Sequence, residues 1–231
     1  MCSSTIDITS SDGKTFQGYL ALPPTGSGPG IVLIQEIFGV NSHIKAVADQ
    51  YALDGYVVLA PDLFWRQQPG VALGYCEADF GNALGFMQKM DFSLAVQDLT
   101  STVAALRARS ECTGKVASLG FCMGGLLSYL SAAHAGVDAA VCYYPGSIEN
   151  RLDQADKVRC PILFHFAGKD HYILPAAVKA VQARFADMKN AVIEVYPDVD
   201  HGFNCWERPA YHQKTSSLAH GLSLSFLAKA Y

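Results

Sequence analysis

Lys115-Val116-Ala117-Ser118-Leu119-Gly120-Phe121-Cys122-Met123-Gly124-Gly125 decides the fold: an apolar run of strand character breaks at a Gly-x-Cys-x-Gly turn and continues into the apolar stretch Leu126 to Ala133. It reads as a nucleophile elbow with a thiol where a hydroxyl is usual. In such an elbow a strand turns sharply into a helix. Small residues two before and two after the nucleophile let the backbones pass closely while the nucleophile sits strained. Gly120 and Gly124 hold those positions. Cys122 then lies at the first turn of a helix, where unpaired N–H groups and the macrodipole favour a thiolate.

A nucleophile so placed needs an imidazole base and a carboxylate to orient it, in the chain order nucleophile, acid, histidine, each on a loop after a strand. Asp170 closes the apolar run Pro161 to Ala167 after a Gly-containing turn, and Pro175 starts a helix five residues on. His201 follows the run Ala191 to Pro197 in Asp198-Val199-Asp200-His201-Gly202-Phe203. An Asp after a strand is by itself a turn residue or helix cap, Asp198 and Asp200 form an acidic turn beside the histidine, and His171 beside Asp170 reads as solvent-facing. The three residue types in this order, each after its own strand, argue for a catalytic set of Cys122, Asp170 and His201. Upstream, Gly30-Ile31-Val32-Leu33-Ile34-Gln35-Glu36-Ile37-Phe38-Gly39 is a buried strand running into a turn before a helical segment, Ser42 to Leu53. Glu36, so close to an apolar strand end, either caps the turn or functions. The same loop lends an oxyanion donor in elbow folds, which nominates the N–H groups of Ile37 and Met123.

Strand patterns lie near residues 4–9, 16–22, 31–36, 56–60, 115–119, 138–143, 161–166 and 191–196, and helical patterns near 42–53, 75–89, 92–109, 123–134, 175–187 and 209–229. After an initial hairpin across Ser10-Ser11-Asp12-Gly13 the two types alternate, which predicts an α/β fold with a mostly parallel sheet of about eight strands and helices on both faces. At 231 residues the chain is a single α/β domain, 1–231, burying roughly 70–75% of its unfolded surface. Segment 65–90, with Trp65, Tyr75, Phe80, Phe86, Met87 and Met90, has no strand partner and reads equally as a pocket wall or as plain core. The glycines of Pro23 to Gly30 lack GxGxxG spacing, so no dinucleotide site is expected. A net charge of −4 and a pI near 5.9 create no field for nucleic acid or anionic membrane. The start Met1-Cys2-Ser3-Ser4-Thr5-Ile6-Asp7 carries no signal-peptide pattern, and no apolar run nears the ~18 residues of a spanning helix, so a cytoplasmic protein is expected. Seven cysteines without a CxxC pair argue against a disulfide framework or structural zinc, and Cys112, Cys142 and Cys160 read as small buried apolar residues. The histidines show no metal-ligand spacing, so no metal is expected.

Glu36, Cys122, Asp170 and His201 together resemble the dienelactone hydrolase (carboxymethylenebutenolidase) family of α/β-hydrolases. The carriers are Gln35-Glu36-Ile37-Phe38-Gly39-Val40-Asn41, Ala60-Pro61-Asp62-Leu63-Phe64, Gly120 to Gly125, Tyr143-Tyr144, Gly168-Lys169-Asp170-His171 and Asp200-His201-Gly202-Phe203, over nearly the whole chain. The resemblance implies a monomer that acts on a small ester or lactone with a Cys-His-Asp triad and no cofactor. It also implies that Glu36 contacts the resting thiol and takes part in its activation. Phe38, Tyr143, Phe203 and Arg66 are the expected substrate contacts. Best-studied members hold the substrate carboxylate with two arginines, one in the segment matching Ala78 to Phe80 and one four residues after the histidine. This chain has neither: the second position is Cys205, and the nearest arginines are Arg66 and Arg208.

Sulfur constrains the leaving group. A tetrahedral intermediate expels its better leaving group, and a thiolate leaves far more readily than an ordinary alkoxide. Simple alkyl esters therefore fall back, whereas enol esters, enol lactones, aryl esters and thioesters go forward. The alternative reading is a non-catalytic ligand-binding or thiol redox-sensing member of the same fold.

Overall fold

Cys112 to Phe121 forms the centre of the computed structural model, which describes residues 2–231. It is strand β5 of one eight-stranded sheet ordered β1-β2-β4-β3-β5-β6-β7-β8. Strands β1 (Cys2–Thr9) and β2 (Thr15–Leu22) make the antiparallel hairpin, and β2 pairs antiparallel with β4 (Val57–Pro61). From β4 onward every pairing is parallel, through β3 (Gly28–Ile34), β5, β6 (Ala139–Tyr143), β7 (Ile162–Ala167) and β8 (Ala191–Tyr196). Strands β4, β6 and β7 are buried along their whole length. Crossover helices cover both faces of such a sheet, which is why these strands read as continuous apolar runs rather than alternating ones.

Helices α1 (Ser42–Leu53) and α6 (Gln213–Ala230) share one face, the rings of Tyr51 and His220 meeting at 4.7 Å. Helices α3 (Phe92–Arg107), α4 (Met123–His134) and α5 (Pro175–Phe185) cover the other, and α2 (Glu77–Gln88) flanks the carboxyl ends of the strands. Local chemistry sets the boundaries: Asn41 caps α1 by accepting from the Ile44 N–H, and Asp91 caps α3 by accepting from Ser93 and Leu94.

Two features differ from expectation. The last helix begins at Gln213 rather than 209, because residues 205–211 run in successive turns and His212 provides the cap, accepting from the Thr215 N–H. A 3-10 helix, Ile148–Lys157, also follows β6 in a polar stretch that carries no helical periodicity. No helix among the described residues is long and apolar enough to cross a membrane.

Beneath α6 lies a buried polar relay. Ser223 Oγ donates to the Ala219 carbonyl and meets both Tyr143 Oη at 2.8 Å and His165 Nε2 at 3.0 Å. His165 Nδ1 meets Tyr196 Oη at 3.0 Å. Burial pushes the His165 pKa down to about 3, so the ring is neutral and its Nε2–H donates to Ser223 while Nδ1 accepts from Tyr196.

Candidate active site

Strand β5 ends at Phe121 and α4 begins at Met123, leaving Cys122 alone at the corner with φ 56° and ψ −116°. A non-glycine residue held there stores about 1–3 kcal/mol of strain. Its surroundings enforce it: the Cys122 N–H donates to the Tyr143 carbonyl at 3.0 Å, and its carbonyl accepts from Gly125 and Leu126. A Cβ on Gly120 would sit 2.0 Å from the Gly124 oxygen, and one on Gly124 would sit 2.4 Å from the Ile34 and Gln35 oxygens. The two glycines therefore allow β5, α4 and the end of β3 to cross at backbone contact.

Asp170 and His201 come from the loops after β7 and β8, which are tied together by Gly168 N–H to Tyr196 O and Lys169 N–H to Val199 O. One Asp170 oxygen accepts from the Tyr172 and Ile173 N–H groups, at 2.8 and 2.9 Å. The other lies 2.8 Å from His201 Nδ1. Both side chains are buried. Burial opposes a charged imidazole at His201, but attraction to the ionised form of the Cys122 sulfur on one side and to the Asp170 carboxylate on the other outweighs it and raises its pKa to about 10. The neighbouring acids are engaged elsewhere: Asp200 holds His171 Nδ1 at 2.8 Å and accepts from the His201 backbone N–H, and Asp198 pairs with Lys169.

Glu36 is buried and held at both oxygens. Arg208 Nη1 donates to one at 3.3 Å and Tyr75 Oη to the other at 3.2 Å, while Asn41 Nδ2 donates to Tyr75 Oη. Burial and the adjacent Glu36 push the Tyr75 pKa far upward, so the phenol is a donor. Arg208 also lies 6.0 Å from the ring centres of Phe38 and Tyr75. Cys205 is buried in the same cluster, with burial raising its pKa to about 12. The N–H groups of Ile37 and Met123 donate to no other described group, and both residues line the cavity beside Cys122.

The cavity has a volume of about 600 Å³. Cys122, His201 and Arg208 lie in its wall with Ile37, Phe38 and Met123. Helix α2 adds Phe80, Leu84 and Met87, so segment 65–90 splits: these side chains form the pocket wall, while Trp65 stacks on Phe16 and Phe86 on Phe64. Among the described residues no group of three His, Cys, Asp or Glu side chains is arranged to hold a metal ion.

Of the four expected substrate contacts, Phe38 lines the cavity and three do not. Tyr143 is the last residue of β6 and points under the sheet to Ser223. Successive residues of a strand face opposite ways, and the tyrosine on the site's side is Tyr144, whose ring centre is 4.8 Å from that of His201. Phe203 is fully buried behind the site against Tyr144 and Tyr196. Arg66 is drawn away by two acids, donating from Nε and Nη2 to Asp98 and from Nη1 to Asp12. Two arginines lie in the wall, Arg151 from the 3-10 helix and Arg208, which stands seven residues after the histidine rather than four because the turns of 205–211 carry it back over Gly202. Tyr75, Tyr144 and Arg208 were not singled out as site residues. Each left a trace there: Arg208 as a cation near the histidine, Tyr75 within the segment 65–90 and Tyr144 within the Tyr143-Tyr144 pair.

The dienelactone hydrolase family model matches residues 16–231. Carboxymethylenebutenolidase 1 of Cupriavidus pinatubonensis is 32% identical over 229 residues, covering 99% of this chain and 97% of that protein. Carboxymethylenebutenolidase of Pseudomonas putida is 33% identical with the same coverage. Among solved structures, a Klebsiella pneumoniae protein assigned to the dienelactone hydrolases superposes with a TM-score of 0.84 at 28% identity, over 99% of both chains.

Proposed function

Since the chain belongs to the dienelactone hydrolase family and is a hydrolase of that kind, we propose that it cleaves enol lactones or activated esters through a thioester on Cys122. His201 takes the thiol proton, and the sulfur attacks the acyl carbon. The oxyanion is held by the N–H groups of Ile37 and Met123, which are otherwise unengaged. The intermediate collapses, the acyl–oxygen bond breaks, and His201 returns the proton to the leaving oxygen. Water, deprotonated by the same imidazole, then attacks the thioester and expels the thiolate. Asp170 fixes the ring so that Nε2 faces sulfur.

The observation that carries this reading is the pairing of His201 with Asp170 at 2.8 Å beside a thiol held at φ 56° in a glycine-lined corner. Of the two arginines in the cavity wall, Arg208, which lies over Gly202 next to His201, is the one we assign to a substrate carboxylate, in place of the two family arginines that the chain lacks. An anionic substrate would compete with Glu36 for it, leaving Tyr75 as the remaining partner of the Glu36 carboxyl.

Intact-protein mass after rapid mixing with an aryl ester tests the reading. The wild type should gain one acyl group with a stoichiometric burst of phenol, and Cys122→Ala should gain none and turn nothing over. A fully active Cys122→Ala would sink it.

A further inference from the structure

Carboxymethylene lactones are small, yet the cavity beside Cys122 holds about 600 Å³, on the order of twenty waters at their liquid volume of ≈ 30 Å³ each. Its chemistry is uneven. Cys122, His201 and Arg208 form one polar group of the lining and Ser147, Asn150 and Arg151, around the start of the 3-10 helix, form another, whereas Phe80, Leu84, Met87, Phe92 and Leu126 present only carbon and sulfur. The side chains of Phe80, Leu84, Met87 and Phe92 are left partly exposed although each packs on the core. Partly covered apolar groups facing a reactive centre are what an apolar ligand completes.

The wall has a direction and a length. Phe38, next to the oxyanion residue Ile37, meets Phe80 with ring centres 6.2 Å apart, which places the near end of the wall at the reacting carbon. Phe80, Leu84 and Met87 repeat at helical spacing on one face of α2, and their seven-residue span covers about 10 Å. Phe92 and Arg151 line both this cavity and a second depression, and the arginine makes that end of the wall polar. The leaving group departs beside His201, because that ring must protonate it. The neighbour there is Tyr172, 5.1 Å from the His201 ring and 53% exposed, so that side opens to water. The part that remains on sulfur takes the apolar side.

We propose that this site is built for a bulky apolar acyl group, extended by about eight carbons or the equivalent in fused rings, seated along Phe80, Leu84, Met87, Phe92 and Leu126, its length set by the span from Phe80 to Met87. The proposal rests on the thioester chemistry at Cys122 and adds the acyl class.

The test is a series of p-nitrophenyl esters from acetyl to dodecanoyl, below their micelle concentrations, with kcat/KM normalised to the alkaline hydrolysis rate of each. The expected result is a rise of about two- to fourfold per methylene, from the transfer free energy of a buried CH₂, levelling near eight carbons. In Leu84→Trp, which fills the middle of the wall, the octanoyl-to-acetyl ratio should fall at least tenfold; Met87→Gln, which keeps the volume, serves if the tryptophan variant does not fold. A flat series, a wild-type optimum at acetyl, or a ratio unchanged in the folded variant overturns the proposal. Cys122→Ala run on the same series separates the two ideas: turnover surviving in it defeats the thioester reading, whereas a dead Cys122→Ala beside a flat wild-type series defeats only the acyl wall.

Discussion

Replacing Asp170 by asparagine changes two hydrogen-bonding atoms and almost no volume. The oxygen that accepts from the Tyr172 and Ile173 N–H groups is retained, so the loop after β7 keeps its turn. The other oxygen, 2.8 Å from His201 Nδ1, becomes an NH₂. A donor cannot face the Nδ1–H, so the ring must carry its proton on Nε2 and present a lone pair to the amide. In that tautomer Nε2 has nothing with which to accept the Cys122 proton. Recovering the productive ring costs a donor-to-donor clash plus a lost charge-assisted bond of about 1.5–3 kcal/mol. It also costs the charge attraction that keeps the imidazolium stable in a buried place. Together these come to about 4–5.5 kcal/mol, or roughly 10³- to 10⁴-fold in rate, in line with the ≈ 10⁴ that the same exchange costs in a serine triad. The assay is kcat/KM on an aryl ester beside the rate of iodoacetamide alkylation of Cys122 and a thermal melt. Asp200→Asn is the internal control, since that carboxylate serves His171 and a backbone N–H, and it should cost less than about tenfold, as an exposed pair does. If Asp170→Asn stays within tenfold of wild type while folded, or if Asp200→Asn does equal damage, the assignment of the orienting acid is wrong.

Arg208→Gln should lower the ratio of kcat/KM for a carboxylated ester to that for its neutral analogue by about tenfold or more, the worth of one charge-assisted bond; an unchanged ratio means that the substrate carboxylate, if any, is bound elsewhere. Stability should also report His201. Its folded pKa is raised from the ordinary 6.5 to about 10, so its contribution is complete below 6.5 and is lost as pH rises through 10. Denaturant midpoints between pH 6.5 and 10 should therefore fall more in the wild type than in Cys122→Ala, where one of the two groups that raise this pKa is gone. Parallel curves for the two proteins would count against the Cys122–His201 coupling.

The sheet and the elbow were readable because they rest on local signals. β5 is an apolar run, the helix after it begins one residue past the cysteine, and Gly120 and Gly124 stand where backbones touch. Helices 42–53 and 123–134 have the bounds the pattern predicts. The placing of Asp170 and His201 side by side was readable because each follows its own strand. The pocket was not, and Tyr143 shows why. One residue decides which side of the sheet a tyrosine faces, and the Tyr143-Tyr144 pair carries no periodic signal at a strand end. Arg66 failed for another reason: its partners, Asp12 and Asp98, lie far from it in sequence, and their capture of the guanidinium leaves no local trace. The clamp on Glu36 likewise joins residues from the β3 loop, the segment before α2 and the turns before α6, which meet only once the sheet is complete.

The relay beneath α6 selects an alignment. The buried side of helix α6 is made of small or aliphatic residues, Thr215, Ala219, Ser223 and Leu227. Sliding it by one turn would bring Ala219 or Leu227 to the place of Ser223. Tyr143 Oη and the Nε2–H of His165 would then be buried without a partner, at about 1–3 kcal/mol each. Ser223 thus joins His220, which meets Asp54 at 2.9 Å, and Tyr231, whose Oη donates to the Gly30 carbonyl, in making the docking of the helix discrete. Since the turns that carry Arg208 run directly into α6, the alignment of that helix and the approach of the guanidinium to Glu36 are joined along the chain.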